Sequence, residues 1–174
     1  MDRELELLLR AYADADGPTR RQRAITPKFL RVFYLHFENE GGDDKSPFGQ
    51  MADIYLGFFF FAGRSCEFCL ATGDRKTSRV AIEDVEFRDE GRRVVEVGPE
   101  TDLESLKFVT ITFRDQKNRE KCEKRTQGRT KDPILDPVMR LASAVIRIKR
   151  KVKDWNQKTE FCGHGACSLQ AALQ

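Results

Sequence analysis

Leu30, Phe33, Tyr34 and Phe37 recur at intervals of three or four residues along the segment that begins at Thr26-Pro27. That spacing lines one face of an α-helix, with Thr26 as N-cap and Pro27 as the first helical residue. Gly41 to Asp44 (GGDD) ends it. Upstream, Leu5, Leu8, Leu9 and Tyr12 predict a shorter amphipathic helix over 2–13, followed by a polar stretch from Asp14 to Arg23. Ser46-Pro47 opens a further helix, apolar on almost every side and predicted to run to about Leu70. Its most apolar part, Ile54 to Ala62, is well short of the ~20 residues that cross a membrane, so it reads as a buried helix.

After Thr72-Gly73 the period changes from helical to alternating. Val80 to Phe87 alternates, Asp89 to Gly91 supplies a turn, and Val94 to Val97 resumes the alternation. Leu106 to Phe113 (LKFVTITF) is the clearest strand, rich in β-branched and aromatic residues. A polar run from Arg114 to Asp132 follows, with an apolar return at Ile134-Leu135. Asp136-Pro137 then starts a helix whose Val138, Leu141, Val145, Ile148 and Val152 share one face. Beyond Asp154 the periodicity is weak. The order predicts an α+β fold: helices, then a small antiparallel sheet, then a further helix. The expected division is a helix and linker over 1–25, one unit over 26–153, and a poorly ordered tail over 154–174. No internal repeat is visible.

A length of 174 residues suits one ordinary domain, and 40% hydrophobic with 34% charged residues is a globular composition. The start, MDRELELLLR, alternates charge with leucine and lacks the apolar centre of a secretory signal. Without a secretory context, the five cysteines are expected to be reduced thiols in an intracellular protein. Cys66 and Cys69 make a C-x-x-C, and Cys162, His164 and Cys167 cluster near the end, a set of residue types that admits a zinc site. The first pair falls on an apolar helix rather than a knuckle turn, and small buried hydrophobes are the preferred reading, with no metal and no cofactor.

Charge changes the picture more. The net charge of +3 hides a division between nine acids against three arginines over Ile82–Leu106 and fifteen Lys/Arg against five acids over Lys107–Lys153. A basic segment of that density is the footprint of a surface that meets polyanions, or else a solvated hairpin and helix face. Within it, Arg147, Lys149, Arg150, Lys151 and Lys153 (RIKRKVK) fit a nuclear-localisation run as well as they fit the outer face of an amphipathic helix. One further charge is out of place. Arg64 and Glu67 follow directly on Phe58–Phe61, although burying a charge is costly unless it is paired. Ser65 beside them has no nearby histidine in sequence and is discounted as a nucleophile.

Taken in order, A-G-R-S-C-E-F after an apolar helix (Ala62 to Phe68), an acidic strand region, a strand leading to Q-K-N (Gln116 to Asn118) and a D-P-V helix (Asp136 to Val138) resemble the first half of a tyrosine recombinase catalytic domain. The likeness is nearest to the Crypton-type recombinases of eukaryotic mobile elements and spans roughly Thr26 to Lys153. It implies an incomplete tyrosine-recombinase catalytic fold, duplex DNA as partner, a role related to DNA integration and recombination, and a nuclear location. It assigns Arg64 to the scissile phosphate, Glu67 to its support and Lys117 to protonating the leaving 5′ oxygen. A guanidinium suits the first role because it offers fixed paired donors and stays charged, and an ammonium beside phosphate can act as a general acid. Arg114, Arg119, Lys121, Lys124, Arg125 and Arg129 are the candidate backbone contacts, with Lys121 and Lys124 as lesser alternatives to Lys117.

The resemblance then stops. The family site also needs H-x-x-R, a further His or Trp, and a tyrosine nucleophile. The three tyrosines, Tyr12, Tyr34 and Tyr55, all precede Arg64, and the position three after His164 is Cys167. Covalent phosphotyrosine chemistry cannot run without its nucleophile. The chain is therefore expected to be truncated and catalytically incomplete, with apolar surface near Phe58–Phe61 left exposed and prone to self-association. No membrane and no small-molecule substrate are expected. The rival reading is a non-catalytic basic interaction module that binds RNA or an acidic protein.

Overall fold

A computed structural model describes residues 26–39, 47–62, 78–115 and 121–161. Helix α1 spans Pro27–Asn39, α2 Pro47–Phe59 and α3 Pro137–Lys151. Between α2 and α3 lie strands β1 (Val85–Asp89), β2 (Val94–Val95), β3 (Leu106–Asp115) and β4 (Lys121–Gly128). They form one antiparallel sheet in the order β2-β1-β3-β4. The fold is α+β, as the change of period predicts.

Two of the helix starts read from sequence, Thr26-Pro27 and Asp136-Pro137, are realised by the chemistry expected of them, whereas Ser46 lies outside the described residues. Thr26 Oγ1 accepts from the Phe29 amide at 3.3 Å, satisfying one of the donors left over at a helix start. Asp136 Oδ1 accepts from the amides of Val138 (3.0 Å) and Met139 (3.1 Å), with Pro137 in the first turn. Alternation on β3 turns Val109, Ile111 and Phe113 inward, where they meet Phe87 of β1, Val138, Leu141, Val145 and Ile148 of α3, and Ile54 and Phe58 of α2. A smaller cluster joins α1 to the rest through Leu30, Leu56 and Leu135.

Three expectations need correction. The helix predicted to reach Leu70 ends at Phe59. Phe60, Phe61 and Ala62 form turns, with Phe61 N donating to Phe58 O (3.0 Å) and Ala62 N to Phe59 O (3.2 Å). Ala62 has φ 50°, a left-handed residue of the kind that closes helices. Continuous apolar character predicts burial but carries no stop signal. Second, the surface near Phe58–Phe61 is not open: Phe58 and Phe61 are buried, and Phe59 and Phe60 are half-buried. Among the described residues the large exposed apolar side chains are Phe29, Val32 and Leu35 of α1 and Val94 of β2. Third, the expected tail begins with a docked segment. Val80 and Ile82 bond to Phe161 and Thr159 in an extended pairing, Glu83 N donates to Gln157 O, and the Phe161 ring lies edge-on to Phe58 at 5.7 Å. Phe161 is buried in the main core. An irregular segment anchored by two aromatics six residues apart, Trp155 and Phe161, shows no period, so periodicity could not find it.

Candidate nucleic-acid interface

The candidate site is the β3–β4 hairpin with the turn that follows α2. Arg64, Glu67, Lys117 and Arg119 lie outside the described residues, as does the side chain of Lys121. So do Cys66, Cys69, Cys162, His164 and Cys167. Among the described residues no group of three or more side chains fits a metal ion, and no helix is long and apolar enough to cross a membrane.

What the structure describes is the frame on either side of those positions. On β4, Arg125 reaches inward. Its Nη1 donates to the carbonyl of Phe61 at 2.8 Å, and its Nε and Nη2 donate to the two carboxylate oxygens of Glu123 at 2.8 and 3.0 Å. The guanidinium also lies 5.4 Å from the centre of the Phe113 ring. Two residues on, Gln127 Nε2 donates to Phe60 O at 2.8 Å. The turn two residues before Arg64 is thus fastened to the strand that leaves the hairpin. Arg125 is four residues from Lys121, where β4 begins, which is about 14 Å of strand.

Among the described residues the basic side chains do not form one patch. Lys124 and Arg125 are neighbours in sequence, but successive strand residues point to opposite faces, so Lys124 is exposed on the outer face while Arg125 serves the inner one. Arg114 is held by Glu83 and by Asp84, whose Oδ1 lies 2.6 Å from its Nε. These two hydrogen bonds push the guanidinium pKa further up, so its charge is permanent but already answered. Arg129 donates from Nε to Asp136 Oδ2 at 2.6 Å and, at 3.4 Å, to Glu104. Burial opposes its charge, yet Asp136 and Glu104 outweigh that and raise its pKa. Asp136 therefore caps α3 and anchors Arg129 with different oxygens.

The charge cluster that pattern reading missed is on the other side of the core. Asp53 of α2 is 2% exposed. It accepts from Arg140 Nη1 at 3.2 Å and from Arg147 Nε at 2.9 Å, both on α3. Burial raises its pKa, and the two arginines pull it down only in part. The available signal was an aspartate inside an apolar helical run, between Ala52 and Ile54. The RIKRKVK run is correspondingly divided: Arg147 turns to Asp53, and Lys149 pairs with Glu96 at 3.3 Å while lying over the Trp155 ring at 4.2 Å.

No protein-family model, curated protein or solved structure matches the chain.

Proposed function

We propose that this chain is a DNA-binding, tyrosine-recombinase-like protein, related to DNA integration and recombination, that holds duplex DNA without completing strand cleavage. Arg64 clamps a backbone phosphate, Glu67 orients it, and Lys117 occupies the proton donor's place at the hairpin tip. Arg119, Lys121 and Lys124 supply further phosphate contacts. Arg114, Arg125 and Arg129, being already paired with carboxylates, hold the hairpin and α3 in position. The observation that carries the reading is the pair of hydrogen bonds from Arg125 and Gln127 to the carbonyls of Phe61 and Phe60. They give the segment entering Arg64 and the hairpin bearing Lys117 a common rigid base, which transition-state or phosphate clamping requires. The 174 residues contain no H-x-x-R and no tyrosine after Tyr55, so they do not themselves supply a phosphotyrosine nucleophile in the position that the resemblance calls for.

Duplex binding measured against salt tests this. Each neutralised phosphate contributes about −0.9 to the slope of log K on log salt, so five contacts give a slope of about −4 to −5. Arg64→Ala is expected to reduce that slope by about one and to lower affinity. A basic interaction module that binds RNA or protein through its hairpin does not need Arg64. Unchanged duplex affinity in Arg64→Ala, or no salt-dependent affinity in the wild type, defeats the proposal.

A further inference from the structure

The sheet has a second face, turned away from α3. On it stand Glu86 and Arg88 of β1, Phe108, Thr110 and Thr112 of β3, and Lys124 and Thr126 of β4, in cross-strand rows set by the pairing of Arg88 with Phe108, of Glu86 and Thr126 with Thr110, and of Thr112 with Lys124. This is the half of the alternation that the core does not use. It includes a half-buried phenylalanine where a solvent-facing strand normally carries polar side chains only. Beside Phe108 in the next strand is Gly128. A Cβ there would lie 3.7 Å from the ring, so glycine leaves that flank low. Arg92, in the β1–β2 turn at φ 60°, brings its guanidinium to 5.7 Å from the ring centre. Glu86, Arg88, Arg92, Phe108, Thr110, Lys124 and Thr126 together line a groove of about 380 Å³.

The charge on this face is one-sided. Arg88 and Glu86 neutralise each other, 2.7 Å apart. Arg92 and Lys124, at opposite margins of the groove, have no carboxylate partner among the described residues. The Thr110 and Thr126 hydroxyls meet at 2.8 Å between them. A half-buried aromatic flanked by two cations without a carboxylate partner and by a pair of hydroxyls is complementary to a flat ring carried on an anionic backbone. A duplex hides its ring faces in its own stack, so only an unpaired strand can present one to Phe108.

We propose that the open sheet face binds single-stranded nucleic acid, stacking a base at Phe108 and placing the flanking phosphates on Arg92 and Lys124. The site shares Lys124 with the proposed duplex contacts, but its stacking centre, Phe108 with Arg92, is distinct from Arg64 and the hairpin tip and does not depend on them.

The test uses the whole 174-residue chain and fluorescence anisotropy with labelled oligo-dT and oligo-U of about 16 nucleotides, one small fold's footprint, beside a duplex of equal length at equal salt. Phe108→Leu keeps an apolar side chain but removes the ring. It is expected to weaken single-strand binding about tenfold and leave duplex binding unchanged. Arg92→Asn, which tolerates the left-handed backbone of that exposed turn, is expected to weaken it about threefold and decides the matter if Phe108→Leu does not fold. Single-strand affinity that is absent in the wild type, or unchanged in the folded variants, overturns the proposal. Failure of duplex binding alone, with single-strand binding retained, counts against the recombinase-like reading and not against this site.

Discussion

Gly57 lies where α2 crosses α3, and replacing it with alanine tests the packing on which the candidate interface rests. A Cβ at this position would fall 2.6 Å from Leu141 Cγ, 2.7 Å from its Cδ2 and 3.5 Å from its backbone nitrogen. Carbon atoms in contact prefer about 3.5–4.0 Å, so about 1 Å of movement is needed from a leucine that is 0% exposed and packed on every side. Overpacking of this kind costs about 1–3 kcal/mol. The collision involves a whole branched side chain with the opposing backbone close behind it, which places the cost in the upper half of that range. Alanine recovers about 1 kcal/mol of helix propensity. The net expectation is a loss of about 1–2 kcal/mol, or a fall in Tm of about 2–8 °C for a chain of this size. Urea denaturation followed by circular dichroism measures it. Leu141→Ala alone is expected to cost about 2–5 kcal/mol through the cavity it leaves. In that background Gly57→Ala should become neutral or stabilising, because the two sites share one space and cannot be additive. A Gly57→Ala protein as stable as the wild type, or one whose cost persists when Leu141 is alanine, refutes the close approach.

Two further outcomes follow from the docked C-terminal segment and from the loop before α3. Phe161→Ala is expected to lower stability by about 3–5 kcal/mol in the same denaturation assay, because the ring is buried against Phe58; a change below about 1 kcal/mol, the scale of a surface site, would mean the segment does not belong to the core. Asp132 Oδ1 accepts from the amides of Ile134 and Leu135, both at 3.0 Å, and its carboxylate pairs with Arg31, which together lower its pKa from 3.8. A depressed folded pKa means its contribution is whole above 3.8 and is lost as pH falls through the lower folded value. Asp132→Asn should therefore reduce the loss of Tm in acid below about pH 4, leaving the part due to Asp89, which is lowered in the same sense by Arg93. An acid slope identical to that of the wild type would remove Asp132 from the account.

Much of the architecture was legible because local chemistry decides it. Thr26-Pro27 and Asp136-Pro137 mark helix starts through hydrogen bonds that each segment makes with itself, and the alternation from Leu106 to Phe113 sets two faces whatever the strand pairs with. β4 was much less legible. Its side chains read K-C-E-K-R-T-Q-G, with no apolar alternation, and it is a strand because β3 pairs with it from Phe108–Gly128 to Asp115–Lys121. On its inward face Arg125 and Gln127 spend polar groups on the carbonyls at the end of α2, where a hydrophobic pattern would look for apolar residues. The candidate site was legible as a set of residue types in a particular order, and no further.

The amino-acid sequence by itself determined the α+β class, two capped helix starts, the buried face of α3 and the separation of acidic from basic segments, since each follows from short-range spacing or composition. Only the tertiary structure decided which cations are spent internally. Arg114, Arg125, Arg129, Arg140 and Arg147 look alike in a list of positive charges, yet each is paired with a carboxylate. For all but Arg125 that carboxylate lies seven to 94 residues away in the chain. Pairing a charge depends on distance in space, and the folded core alone brings those partners within hydrogen-bonding reach.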